Sequence, residues 1–117
     1  MNIHLHLDIK NKTKEAFFND MEILFGFPSW WGHNGNALID CLRYMRGPYG
    51  DDMVSIKLKD DDIIVLELDN VEYALFDTNL YLYEIVAYIN KFYLDKYNIP
   101  ITILLAPRLG LYVGPTP

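Results

Sequence analysis

The chain has 117 residues, of which 51% are apolar, and its 16 acidic and 10 basic side chains leave a formal net charge of −6. This length suits one domain, residues 1–117, that buries roughly two thirds of the surface exposed by the unfolded chain. The negative charge repels phosphate backbones, so we expect no direct nucleic-acid binding and prefer a basic protein as the partner. The simpler alternative is that the acidity only keeps a cytoplasmic protein in solution.

Neither secretion nor membrane insertion is expected. The first residues, MNIHLHLDIK, lack the basic head and the unbroken apolar run of a signal peptide. A membrane span needs about 18 consecutive apolar residues, and no stretch of the sequence approaches that length. The single cysteine, Cys41, has no second cysteine with which to form an intramolecular disulfide. We therefore expect a cytoplasmic protein whose thiol is structural rather than catalytic.

The N-terminal part of the chain predicts one strand and one helix. Residues 3–9 alternate between apolar and polar side chains, which is the period of a half-buried strand. From Thr13 the apolar spacing becomes that of a helix, and Gly26 is placed where such a helix ends.

Two groups of residues suggest a metal hypothesis. His4 and His6 share one face of the first predicted strand at a spacing found in metal sites, but no third ligand is evident. The three aspartates at 60–62 lack the ligand spacing of an EF-hand calcium loop. We therefore expect no metal and no cofactor, and interpret these groups as a polar sheet face and a solvated turn.

A second helix is predicted from Asn36, after a loop that contains two tryptophans. Its apolar residues share one stripe: Ala37, Leu38, Cys41, Leu42 and Met45. Its polar residues share the opposite arc: Asn36, Asp40, Arg43 and Arg46. Ile39 falls on that polar arc, near Trp30 and Trp31, so an exposed surface with unusual apolar content is expected, and such surfaces usually bind a partner.

The remaining chain predicts more strands and a long helix. Gly47 to Gly50 ends the second helix and begins a turn, and residues 54–58 and 63–68 form an antiparallel hairpin with the aspartates at its tip. Residues 73–79 fit either an extension of the sheet or an irregular connection. A helix follows from Leu80 to Asn98, and Ile101 to Ala106 is then a buried central or parallel strand. The tail, 107–117, is either an ordered edge cover or a loose end.

The order β, α, α, β, β, α, β favours an α/β layer fold, in which helices pack against a small, mostly parallel sheet. One segment carries a family resemblance. Within residues 24–45, the residues concerned are Pro28, Trp30, Trp31, Gly32, Asn34, Ala37, Leu38, Asp40, Cys41 and Leu42. They resemble the loop and second helix of barstar-type inhibitors, in which the aromatic pair is usually Tyr-Tyr. Residues 101–105, ITILL, are similar to the last strand of that family.

The resemblance implies a three-stranded parallel sheet, to which the predicted hairpin adds an extra strand in place of a segment that is helical in the best-known member. It also implies an inhibitor that blocks a secreted or delivered bacterial ribonuclease, or a related toxin, by placing the second helix and its preceding loop in the active site. A carboxylate on a helix can occupy a phosphate position there. Such an inhibitor would be a monomer when free and would perform no chemistry.

The resemblance also implies the site. The candidate partner-binding residues are Trp30, Gly32, Asn34, Asn36, Ile39, Asp40, Arg43 and Tyr44. Asp40 matches the principal acidic residue of the family, whereas Asn36 and Tyr93 stand where it has two further acids. With Arg43 and Arg46 beside Asp40, we expect a toxin other than a strongly basic barnase-like enzyme, bound mainly through aromatic and apolar contacts.

Several of these residues also have a purely structural interpretation. One tryptophan of the pair is expected to pack inward, which we assign to Trp31, and Asn34 suits a helix N-cap. An enzyme is disfavoured, because the sequence contains no recognisable catalytic constellation. The other alternative is a protein-interaction or regulatory module that has the same fold and binds something other than a nuclease.

Overall fold

Three parallel strands form the sheet in the computed structural model, which describes residues 2–46, 53–59, 61–100 and 102–105. They are β1 (Asn2–Asp8), β2 (Ile63–Asp69) and β3 (Thr102–Leu105), in the order β1-β2-β3. Leu66 of β2 pairs with Leu5 on one side and with Leu104 on the other. The parallel sheet is confirmed, and within the described residues the last strand is an edge strand rather than a central one.

Parallel neighbours cannot be joined by a tight turn, so helices fill the connections. The crossover from β1 to β2 contains α1 (Lys14–Phe25) and α2 (Gly35–Leu42), and the crossover from β2 to β3 contains α3 (Phe76–Tyr97). The apolar faces of the helices and the sheet share one core. Its largest fully buried side chains include Phe17, Leu38, Ile64, Leu66, Leu82, Ile89 and Tyr93.

Local capping signals place the helix ends close to the predicted positions. Thr13 caps α1, with its hydroxyl accepting a bond from the amide of Ala16 at 3.2 Å. Gly26 ends this helix with φ of 73°, and Asn98 ends α3 with φ of 63°. Both are left-handed conformations that terminate a helix by turning the chain away from its axis.

The boundaries of two helices differ from the prediction. α3 begins at Phe76, four residues before Leu80, and a short 3₁₀ helix, Val71–Tyr73, precedes it. Of residues 73–79, for which two interpretations were left open, 73–75 therefore belong to an irregular connection and 76–79 to the first turn of α3. α2 ends at Leu42, although Met45 is still buried. The apolar spacing persisted beyond the helix because the chain after Leu42 continues to pack on the core.

The predicted hairpin is wrong for residues 54–58, which form a single isolated bridge, between Leu58 and Arg46, rather than a strand. Val54 and Leu58 are buried, so the alternation reflected real burial. The backbone bonds elsewhere: the amide of Ser55 lies 3.0 Å from the carbonyl of Phe25 and 3.1 Å from that of Gly26. The segment is therefore tied to the end of α1. The turn at Gly47–Gly50, Asp60 at the predicted tip and the tail 107–117 lie outside the described residues.

Substituting Gly26 by alanine tests this junction. The positive φ costs a residue with a Cβ about 1–2 kcal/mol, and a Cβ at this position would also overlap the Ser55 side chain. We expect Gly26→Ala to lower the free energy of unfolding by about that amount or more, measured by urea denaturation. Asn98→Gly is the matched control at another left-handed helix end and should cost nothing. Equal stability of Gly26→Ala and the natural chain would contradict this account.

Candidate protein-binding site

The side chain of Trp31 anchors the loop between α1 and α2 to the core. This side chain is 3% exposed and packs against Phe27 and Phe18, with ring centroids 5.0 Å and 6.1 Å away. Its indole Nε1 donates a hydrogen bond to Oε1 of Glu22 on α1 at 2.7 Å, which gives the one polar atom of a buried ring a partner. Nε2 of His33 lies 2.7 Å from the same carboxylate oxygen. Glu22 therefore holds the loop at two points.

Trp30 has the opposite environment and is 68% exposed. Adjacent residues in this turn point to opposite sides, so anchoring one indole in the core presents the other to solvent. The predicted division between the two tryptophans is confirmed.

The loop and the first turn of α2 form one hydrogen-bonded unit. Asn34 Oδ1 accepts a bond from the amide of Ala37 at 2.9 Å, and its Nδ2 donates to the carbonyl of Gly32 at 3.3 Å. The predicted N-cap is thus confirmed. Gly32 has φ of 96°, a conformation that favours glycine, and a Cβ there would be in tight contact with that of Ala37, at 3.1 Å.

Beyond the cap, α2 presents the other predicted site residues to different degrees. Asn36, Asp40 and Arg43 are exposed, Ile39 is half-buried and Tyr44 is 39% exposed. The Asp40 carboxylate lies 3.6 Å from Nη1 of Arg43. The guanidinium of Arg43 lies over the ring of Phe92 on α3, 4.8 Å from its centroid. The acid and its arginine are therefore available to a partner at the edge of an aromatic surface.

Arg46 does not flank Asp40, which corrects the expectation from helical periodicity. The side chain is 4% exposed, with its guanidinium 5.6 Å from the ring centroid of Tyr93 and 5.9 Å from that of Tyr97. Nη2 donates to the carbonyl of Asp62. Because α2 ends at Leu42, the following residues leave the helical phase that would have placed Arg46 beside Asp40.

Tyr93, which stands where the family resemblance places an acid, has a structural role here. It is fully buried, donates from Oη to the carbonyl of Leu42 at 2.7 Å and accepts from the amide of Met45 at 3.1 Å. Burial raises the pKa of its phenol to about 12, so the hydroxyl keeps the proton that it donates. Tyr93 thus satisfies the backbone where α2 stops.

The sequence did not predict a groove on α3 that lies beside Arg43. It is lined by Tyr88, Lys91, Phe92 and Asp95. Tyr88 is 57% exposed, Phe92 contacts Arg43, and Nζ of Lys91 lies 2.9 Å from the Asp95 carboxylate. The signal was present, because aromatic residues at i and i+4 next to the core stripe of a helix predict a second apolar edge.

The groups considered for chemistry have other environments. His4 and His6 lie 3.6 to 3.9 Å from carboxylates of Glu67 and Asp69 on the sheet face. No set of three or more potential metal ligands is found within the described ranges. Cys41 is 1% exposed, and burial, followed by the nearby Asp40 charge, raises the pKa of its thiol to about 11, which opposes thiolate formation. In the described part of the chain, no helix has the length and apolar content to cross a membrane.

Substituting Tyr93 by phenylalanine tests its role at the end of α2. Removing the hydroxyl leaves a buried amide and a buried carbonyl without this partner, which costs about 1–3 kcal/mol. We expect Tyr93→Phe to lower the free energy of unfolding by that amount in urea denaturation. Tyr88→Phe removes an exposed hydroxyl and should be neutral. An equally small effect of both substitutions would show that the two buried bonds contribute nothing to stability.

The comparisons with known proteins agree with this geometry. The chain matches the family model described as Barstar (barnase inhibitor) over residues 3–106. No curated protein and no solved structure matches it significantly. The matched region contains β1 except for Asn2, all of β2, β3, α1, α2 and α3, and every candidate partner-binding residue. Members of this family are inhibitors rather than enzymes. The parallel sheet, the capped second helix and the family match together identify this chain as a member of the barstar family.

Proposed function

We propose that this chain neutralises a bacterial ribonuclease, or a related toxin, by covering its active site with α2 and the preceding loop. The toxin would be one that is secreted by or delivered into bacteria, and inhibition would take place in the cytoplasm. Protein contact alone accounts for such an activity, so no cofactor, metal or catalytic residue is required.

The observation that carries the proposal is the exposure of Trp30 and Asp40 on a buried framework. Trp30 is 68% exposed and the Asp40 side chain is 62% exposed, while their neighbours Trp31 and Cys41 lie in the core. Two side chains suited to a partner are thus presented by a backbone that is already ordered. Binding then loses less conformational entropy than it would with a flexible loop.

The charges on α2 and at its end favour a partner with a less basic active site than that of a barnase-like nuclease, which would call for several carboxylates on the inhibitor. Asp40 is exposed but lies 3.6 Å from Arg43, and Asn36 is neutral. One carboxylate can still occupy the position of an RNA phosphate through charge-assisted hydrogen bonds. The net charge of −6 would accelerate encounter with a basic enzyme, mostly at low salt.

Apolar and aromatic contacts would supply much of the remaining affinity. Trp30 and Tyr44 are exposed, Ile39 is half-buried, and the groove with Tyr88 and Phe92 extends this surface onto α3. Aromatic side chains at the centre of an interface often dominate its binding energy.

The proposal is tested in an RNA-cleavage assay with barnase and with any nuclease that is found encoded beside this gene. We expect the chain to block cleavage by at least one of them, and Asp40→Ala and Trp30→Ala each to weaken inhibition. Truncating one partner of a buried charge pair costs about 2–5 kcal/mol, a range drawn partly from the barnase–barstar complex itself. Both variants should keep their thermal stability, because the side chains are exposed.

Two substitutions elsewhere serve as matched controls. Asp61→Ala removes an exposed acid and Tyr73→Ala an exposed aromatic residue, and neither lies on α2 or its preceding loop. Both should leave inhibition unchanged. If Asp40→Ala and Trp30→Ala weaken inhibition only because they unfold the chain, these residues are structural. If no ribonuclease is inhibited and Trp30 is still required for binding another protein, the chain is an interaction module.

The anchoring of the loop makes a separate prediction. Glu22 accepts from Trp31 and pairs with His33 at 2.7 Å each, without being part of the proposed contact surface. We expect Glu22→Ala to weaken inhibition about tenfold, because the binding loop loses both anchors and must be ordered on binding. Asp20→Ala, which removes an acid of the same helix, should not weaken it. The NMR signal of the Trp31 indole N–H should shift in Glu22→Ala, and an unchanged signal would refute the anchoring.

A further inference from the structure

The outward face of α3 carries an apolar stripe that is interrupted by one polar residue, Asn90. The apolar residues of the stripe are Phe76, Leu80, Tyr83, Ala87 and Leu94. The exposed fraction is 76% for Phe76, 45% for both Leu80 and Leu94, and 40% for Tyr83. The opposite face of the same helix, with Leu82, Ile85 and Ile89, is in the core. A helix that lies on a protein surface usually has a polar outer face, and contiguous exposed apolar residues mark an interaction site.

The spacing of this stripe is that of a coiled-coil seam. Leu80, Ala87 and Leu94 are seven residues apart, and Phe76 and Tyr83 lie four residues before the first two of them. The half-buried Asn90 takes the equivalent position before Leu94. Alternating steps of three and four residues keep one side of a helix facing another helix along its length. A small residue, Ala87, is in the middle, where two helix backbones could approach closely.

The charges beside the stripe favour one arrangement. Glu84 and Lys91 are exposed, lie on the same flank of the stripe and are placed on either side of Ala87. Lys91 also pairs with Asp95 of its own helix at 2.9 Å, at an exposed site where a second carboxylate can still approach. In an antiparallel pair of α3 helices centred on Ala87, equivalent flanks face each other. Glu84 of each copy would then lie near Lys91 of the second copy, and Leu80 would pack on Leu94.

A parallel pair lacks this complementarity. The flank with Glu84 and Lys91 would then face the other flank of the second helix, where the corresponding positions are Asn79, Val86 and Tyr93. None of these is charged, and Tyr93 is buried in its own core. The aligned dipoles of parallel helices would also repel, whereas antiparallel dipoles attract.

We propose that this chain forms a two-fold dimer through antiparallel contact of its α3 helices along this stripe. The proposal replaces the expectation of a free monomer. It does not depend on the inhibitor function, because Tyr88 and Phe92, next to α2, are about a quarter turn or more around the helix from the stripe. Lys91 is the one residue that belongs both to the groove and to the flank of the stripe. Both copies would keep α2 and its loop available.

A cysteine at the crossing point tests the geometry. An antiparallel crossing at residue 87 brings two copies of that residue within disulfide distance, about 4.4–6.8 Å between Cα atoms. A parallel pair in register would do the same, so crosslinking at residue 87 locates the contact, and the exchange of Glu84 and Lys91 decides its direction. We expect Ala87→Cys to form a covalent dimer rapidly under mild oxidation. Asp77→Cys, exposed on the same helix but off the stripe, is the matched control and should remain monomeric. Equal crosslinking of the two variants would overturn the proposal, and Cys41 does not interfere because it is buried.

The unmodified chain tests the proposal without any cysteine. Analytical ultracentrifugation should show its mass doubling as the concentration rises, and Leu80→Lys should raise the dissociation constant at least about tenfold. Glu84→Lys and Lys91→Glu should each weaken the dimer, whereas the double exchange should restore it. Thermal unfolding of each variant checks that the fold is kept. A chain that stays monomeric throughout, or a double exchange that restores nothing, would overturn the proposal.

Discussion

The burial of Trp31 is the constraint on which the candidate site depends. Its ring packs against Phe27 and Phe18, and its one polar atom bonds to Glu22 at 2.7 Å. Because the ring cannot leave the core without losing these contacts, the loop is held in a fixed position relative to α1. The outward direction of Trp30 follows from that position, and so does the point at which Asn34 begins α2.

The end of α2 is governed by a second buried contact. Tyr93 bonds to the carbonyl of Leu42 and the amide of Met45, so the helix stops after eight residues. This short length decides the charge of the surface. Arg43 remains beside Asp40, whereas Arg46 turns into the protein against two tyrosine rings. The surface is consequently less basic than helical periodicity predicts, and Asp40 is opposed by one arginine rather than two.

α3 contributes to the molecule through three of its sides. One side fills the core, a second adds the groove with Tyr88 and Phe92 to the proposed partner surface, and a third carries the apolar stripe. A helix of 22 residues can do this because successive residues are about 100° apart, so its stripes remain separate along the length. Inhibition and self-association can therefore use different surfaces of one element.

Local patterns in the sequence determined the first strand, the long helix, the helix ends at Gly26 and Asn98 and the N-cap at Asn34, because each depends on neighbouring residues alone. The family resemblance within residues 24–45 also led to the exposed pair of Trp30 and Asp40. Tertiary structure alone decided that residues 54–58 bond to the end of α1 instead of forming a hairpin strand, since alternating burial does not specify a hydrogen-bonding partner. It likewise decided the burial of Arg46 and the role of Tyr93. Their environments are built from segments more than ten residues away in the chain, and no local pattern encodes which distant atom will satisfy a buried polar group.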